Sequence, residues 1–178
     1  MPIQNNCFNF CPECGGRNIA LKATHWLCAD CGFDLYNNVA TAVGAIMQDN
    51  SGRILLEIRS KEPRKGFLAL PGGFAGPDES LEEAVIRECN EETGVRVHSV
   101  EYVCSFPNNY EYNGIMYKTC DVFFTAALPT NAALQAQESE VAGFQWAEIS
   151  CSDDIEDLPL AFESARRALR LWYRTRSL

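Results

Sequence analysis

The stretch SLEEAVIRECNEETG, Ser80 to Gly94, constrains the fold more than any other part of the chain. Ser80 and Glu83 make a capping box, and Gly94 stands where a helix stops, so a helix over 81–93 is predicted. Leu81, Ala84 and Val85 form its apolar stripe, with Ile86 and Cys89 nearer the margins. Continued at helical spacing, the stripe runs into positions 88 and 92. Both are glutamates, and Glu91 is their neighbour. Three carboxylates therefore converge at one end of the face that packs. Like charges at this spacing repel, and burial makes the repulsion worse. Arg87 alone cannot neutralise three acids. A divalent cation can, and oxygen ligands on a rigid helix suit Mg²⁺ or Mn²⁺. A solvated acidic face would account for Glu79, Glu82 and Glu83 but not for 88 and 92. Just upstream, LPGGF turns through Gly72-Gly73, which lets backbone approach an ion or a phosphate closely.

A second pattern lies nearer the start. Cys11-x2-Cys14 and Cys28-x2-Cys31 are each followed by a glycine, Gly15 and Gly32. Two such knuckles put four thiolates around one tetrahedral ion, and Zn²⁺ is the metal that thiolates select there. A piece this short buries too little apolar surface to fold alone, so the metal would supply folding energy. His25 lies between the pairs and is read as a surface or packing residue. The five remaining cysteines, Cys7, Cys89, Cys104, Cys120 and Cys151, are read as inert thiols.

The rest reads as one α/β domain. Tyr36-Asn37-Asn38 is a joint. Strands are predicted at 39–48, 53–60, 67–71, 116–128 and 141–149. PNNYEYNG, 107–114, reads as a turn or loop. Toward the end, apolar residues at 162, 165, 169 and 172 mark an amphipathic helix packed on the domain, with arginines mostly between them. A membrane-surface helix is the alternative. Domains are expected at 1–36 and 37–178.

The net charge of −9 argues against a broad nucleic-acid or lipid surface, because both partners are polyanions. No window is long and apolar enough for a membrane span. The start lacks a secretory pattern, and nine cysteines is an odd number, so a reducing, cytoplasmic setting is expected.

Gly73-x5-Glu79-x7-Arg87-Glu88-Cys89-x-Glu91-Glu92-x-Gly94-Val95 resembles the Nudix box, G-x5-E-x7-R-E-U-x-E-E-x-G-U. The one departure is Cys89, a small apolar residue where the motif has a bulky aliphatic one. The resemblance implies a Nudix α/β/α sandwich with a mixed sheet, preceded by a small zinc ribbon like that of the NADH pyrophosphatase-related subgroup. It implies metal-dependent hydrolysis of a nucleoside diphosphate linked to another group. Glu88, Glu91 and Glu92 match the family's metal-binding glutamates, and the Gly72 carbonyl its backbone ligand. Arg87 would orient Glu88 and pair with Glu79. The resemblance also implies a further ligand or base in a later loop. Glu140 is favoured over Glu138 because it directly precedes Val141. Homodimers are common in the family, so a second copy of the chain is a candidate partner beside the small nucleotide-diphosphate substrate.

The subgroup's downstream motif, S-Q-P-W-P-F-P-x-S, survives only as Ser105 and Pro107, so NADH is not assigned over NAD, ADP-ribose or diadenosine polyphosphates. Tyr112 lies near a tyrosine typical of the diadenosine-polyphosphate members. Phe106, Tyr110 and Tyr112 are candidates to stack on a base, with packing of their own loop as the alternative. Two other functions stay open: decapping of NAD-capped RNA, and a non-catalytic nucleotide sensor. The intact box and the lack of a basic reading helix count against the sensor.

Overall fold

The structure, a computed structural model, describes residues 8–176. Cys7 lies outside them. The chain forms two compact units that divide between Val39 and Ala40.

The first unit is a three-stranded antiparallel sheet of β1 (Ile19–Leu21), β2 (His25–Cys28) and β3 (Asp34–Tyr36). Its buried core is Cys11, Ile19, Trp26 and Cys28, with Phe8, Leu21 and Phe33 packed against it. Phe8 meets the Trp26 ring edge-on at 5.1 Å. The two knuckles are built alike. The Gly15 N–H donates to the Cys11 carbonyl, and the Gly32 N–H to the Cys28 carbonyl.

The second unit contains β4 (Ala40–Gln48), β5 (Ile54–Arg59), β6 (Leu68–Ala69), α1 (Leu81–Thr93), β7 (Glu101–Tyr112), β8 (Ile115–Ala127), β9 (Val141–Ala147), α2 (Ser152–Asp157) and α3 (Glu163–Arg176). The sheet runs β6-β5-β4-β8-β7, with β9 on β5. Its one parallel pair is β4 with β8, so it is mixed. Successive residues of a strand face opposite sides. Ala45 and Met47 of β4 therefore pack with Ala84, Val85 and Cys89 of α1, while Ile46 packs with Ala168, Leu169 and Trp172 of α3. Burying each such Leu or Val side chain contributes about 1.5–3 kcal/mol. The result is an α/β/α sandwich with a core on each face of the sheet.

β4 and β5 pair as strands only at Gln48 and Ile54. Beyond that point the sheet splays, and residues 68–74 enter the gap. Leu68 and Ala69 pair with β5, while the Pro71 and Gly73 carbonyls accept from the Ala45 and Val43 amides of β4. Gly72 sits between them at φ 151°, where a Cβ would lie 2.1 Å from the Val43 carbonyl oxygen, so only glycine fits. The splay brings Gly72-Gly73 to the end of α1.

Three local expectations change. PNNYEYNG is not a loop: β7 runs to Tyr112, and the turn is only Asn113-Gly114, both at positive φ. Pro107 is tolerated because β7 is an edge strand, where a missing N–H need not break a ladder. The strand at 67–71 shortens to two residues. A short helix, α2, precedes α3 and was not read from the sequence. The α3 stripe is buried against the sheet, with Ala165, Ala168, Leu169 and Trp172 inward, which replaces the membrane-surface alternative. No described helix is long and apolar enough to cross a membrane.

Candidate active site

α1 begins at the Ser80–Glu83 capping box and ends at Gly94, φ 71°. That phase turns Glu88 and Glu92 inward, where both are buried, and leaves Glu91 exposed. The stripe therefore does continue into carboxylates.

Arg87 organises the outer part of the cluster. Its guanidinium holds Glu79 with two bonds, Nη2 to Oε1 at 2.7 Å and Nε to Oε2 at 3.0 Å. Nη1 donates to Glu88 Oε1 at 2.8 Å and to Glu91 Oε2 at 3.2 Å, and Nη2 also reaches the Phe74 carbonyl. Arg87 and the Gly76 amide together hold the Glu79 carboxyl down at about 2.

The inner part lacks such a partner. Glu92 accepts the Gly72 N–H at 2.7 Å, yet burial pushes its carboxyl up to about 7. Burial also raises Glu88, against the pull of Arg87. Glu57 of β5 is 3 % exposed, and its Oε1 is buried with no hydrogen-bond partner. Burial first, then the neighbouring Glu92, raise its carboxyl well above the usual range. An orphaned buried oxygen beside two further buried carboxyls is the environment a divalent cation satisfies. The Gly72 carbonyl lies between two carbonyls committed to β4 and takes no part in that ladder. A Cβ at Gly73 would fall 2.6 Å from Glu88 Oε1, so the bare backbone leaves the carboxylate its room. The donor set fits hard, oxygen-seeking ions. Glu57 and Glu92 lie within hydrogen-bond contact of each other, but no three of the carboxylates converge: among the described residues, only the four thiols form a group of three or more ligand atoms all within 4.8 Å.

The cluster opens into a cleft of about 420 Å³, a size suited to a small ligand. Glu140 stands on its rim, ion-paired to Lys61 at 2.7 Å. Tyr110 and Tyr112 line it, joined by Phe74 and Phe162. Phe106 does not line it. Phe106 packs against the α3-side core with the Arg167 guanidinium 3.9 Å from its ring centroid, so the candidate aromatic set divides. Glu57 and Asp121, both facing the cleft, were missed. Each is an acid inside an apolar strand, RILLEIRS or TCDVFF, and that interruption was the available signal.

In the first unit, Cys11, Cys14, Cys28 and Cys31 bring their sulfurs within 4.8 Å of one another, with Cys11–Cys31 at 3.6 Å and Cys14–Cys28 at 3.8 Å. Four thiols so disposed could bind a metal ion.

A family model, the NUDIX domain, matches residues 39–169. The chain is 32% identical over 145 residues to the NAD-capped RNA hydrolase NudC of Deinococcus radiodurans, covering 80% of this chain and 48% of that protein. It is 45% identical over 78 residues to the ADP-ribose pyrophosphatase of Methanocaldococcus jannaschii, covering 43% of this chain and 46% of that one. The chain thus spans about half the length of these curated relatives. Among solved structures, a NUDIX hydrolase from Nitrosomonas europaea is alike in fold, with TM-score 0.72 and 23% identity over 96% of this chain and 93% of that chain. The NUDIX domain of Shewanella oneidensis NrtR, solved with ADP ribose, gives TM-score 0.64 and 28% identity over 80% and 91%.

Proposed function

This chain belongs to the NUDIX domain family, matched over residues 39–169, and on that premise we propose that it hydrolyses the diphosphate bond of a nucleoside diphosphate linked to a second group. NAD or NADH, ADP-ribose and diadenosine polyphosphates are the candidate substrates. The names of the relatives favour the first two. The observation that carries the reading is the buried carboxyl cluster: Glu57, Glu88 and Glu92 in one cleft, with Arg87 as the cation bonded to the cluster and one Glu57 oxygen unbonded.

In this reading Glu88, Glu91, Glu92 and the Gly72 carbonyl hold Mg²⁺ or Mn²⁺. Bound there, the ions supply charge neutralisation on the diphosphate and an acidified water. The chain's own residues do the rest. Arg87, braced by Glu79, fixes the Glu88 carboxylate. Arg59 and Lys61 line the cleft as cations for the diphosphate, and Glu140 serves as a further ligand or base. Tyr110 and Tyr112 flank the organic end. The four cysteines hold a structural Zn²⁺ in a ribbon of residues 1–36, a catalytic domain of 37–178 follows in sequence, and a homodimer is the proposed assembly.

The test is product release from NAD⁺, NADH, ADP-ribose, diadenosine polyphosphates and NAD-capped RNA, with Mg²⁺ and with Mn²⁺. Glu91→Gln should lower kcat/KM by at least ~30-fold, about 2 kcal/mol of transition-state stabilisation, without unfolding the domain. Equal activity in that variant would sink the assignment. A second reading, a nucleotide sensor, draws on the likeness to a NUDIX domain solved with ADP ribose. It predicts tight ADP-ribose binding with no turnover in either metal.

A further inference from the structure

Asp121 stands in the middle of β8 and lines the cleft, only 8 % exposed. Its Oδ1 accepts the Thr119 hydroxyl at 2.6 Å, and its Oδ2 accepts the Ser164 hydroxyl at 2.6 Å. Among the described residues it forms no ion pair. A carboxylate offers about four acceptor positions, and here two are used. Both hydroxyls have spent their one donor on it. The group therefore presents only lone pairs to a ligand, from a site with little water.

The neighbours give the shape of that ligand. Tyr110 and Phe162 line the same cleft with ring centroids 5.7 Å apart. Asn108, opposite Thr119 in the β7–β8 register, adds an amide at the same wall. Aromatic walls suit a planar ring, and a surface of acceptors suits an N–H edge. An anionic diphosphate cannot lie on Asp121. It belongs at the Glu88–Glu92 end, so the ring end of the substrate comes to β8.

We propose that Asp121, held in position by Thr119 and Ser164, reads an NH₂ group on the planar ring of the substrate. This rests on the nucleotide-diphosphate reading above and sharpens it. A ring with an oxygen in place of the amine would set lone pair against lone pair and leave the buried acceptors unpaired, the arrangement that rejects analogues most strongly. The rival explanation is mechanical: the Asp121–Ser164 bond ties the start of α3 to the sheet.

Titration calorimetry on the full chain separates the two, using pairs that differ at the amine. Adenosine and inosine monophosphate form one pair. Nicotinamide mononucleotide and its carboxylate counterpart form the other. One amine-bearing member should bind at least ~30-fold tighter than its partner, within the range such contacts give. The pair that discriminates names the ring. Asp121→Asn, whose amide can rotate to donate, should shrink the preference below about threefold. Ser164→Ala, which leaves the Thr119 bond to hold Asp121, should keep a preference above about tenfold while lowering the melting temperature. Wild-type protein that binds both pairs without preference overturns the proposal and needs no variant. So does a folded Asp121→Asn that discriminates as well as wild type. Binding is read without turnover, so an inactive enzyme would defeat the hydrolase reading and leave this result standing.

Discussion

The four thiols and the four carboxyls of Glu57, Glu88, Glu91 and Glu92 are both sets of metal-seeking side chains, and the fold treats them oppositely. The thiols are gathered within 4.8 Å, in a unit whose buried core among the described residues is four side chains, two of them from these cysteines. No three of the carboxyls converge so closely: Arg87 holds Glu88 and Glu91, the Gly72 amide holds Glu92, and Glu92 meets Glu57, all between two large apolar clusters. A core as small as the first contributes little to folding by itself, so an ion held by the thiols would complete that fold. In the second unit the apolar clusters carry the fold, and the site's cost is the burial of its carboxyls.

That contrast can be broken most forcefully at the thiols. Cys31→Ser, or chelation of the ion, should abolish hydrogen-exchange protection in β1 and β2 and leave β4 and α1 protected, since a structural zinc contributes about 10 kcal/mol or more. Protection persisting in β2 would show that its few apolar contacts suffice. The effect at the carboxyls should be smaller and should fall on activity. Gly73→Ala puts a methyl 2.6 Å from Glu88 Oε1. It should lower kcat/KM about tenfold through displacement of that carboxylate, with the melting temperature nearly unchanged. Glu57→Gln should act in two directions. Without divalent ions it should stabilise the second unit by about 1 kcal/mol at neutral pH, because the buried carboxyl no longer has to take up a proton on folding, and it should weaken Mg²⁺ binding. Thermal melts with and without the ion check both signs. The smallest effect concerns acid. The folded Glu79 carboxyl, at about 2, lies below its unfolded value, so its contribution is full above pH 4.5 and is lost as pH falls toward 2. Glu79→Gln should flatten that limb of the stability curve and no other.

What could be read from the chain followed from local periodicity. The helix at 81–93, its caps and its inward glutamates depend on spacing within a few turns, and the knuckles on spacing within a few residues. Glu57, Asp121 and Ser164 depend on tertiary register. Nothing near Asp121 in sequence announces that Ser164 will arrive 43 residues later. PNNYEYNG carries turn residues, and only its place at the sheet edge lets it run on as strand. Phe106 has the same alternation as Tyr110, and only the arrival of α3 and Arg167 covers it.

The splay between β4 and β5 carries a consequence in time. The thiols close loops of about twenty residues, as between Cys11 and Cys31, whereas the cleft must join Ser60 to Ser139, 79 residues on. Loop closure alone makes the longer join costlier by only about 1 kcal/mol, but the cleft also requires β9 to pair with β5 and 71–74 to dock on β4. High contact order slows such assembly. On a ribosome, the first unit can form while the second is still being made. The carboxyl cluster is among the last things the chain can build, so a nascent chain short of β9 carries the whole glutamate motif and an unfinished cleft.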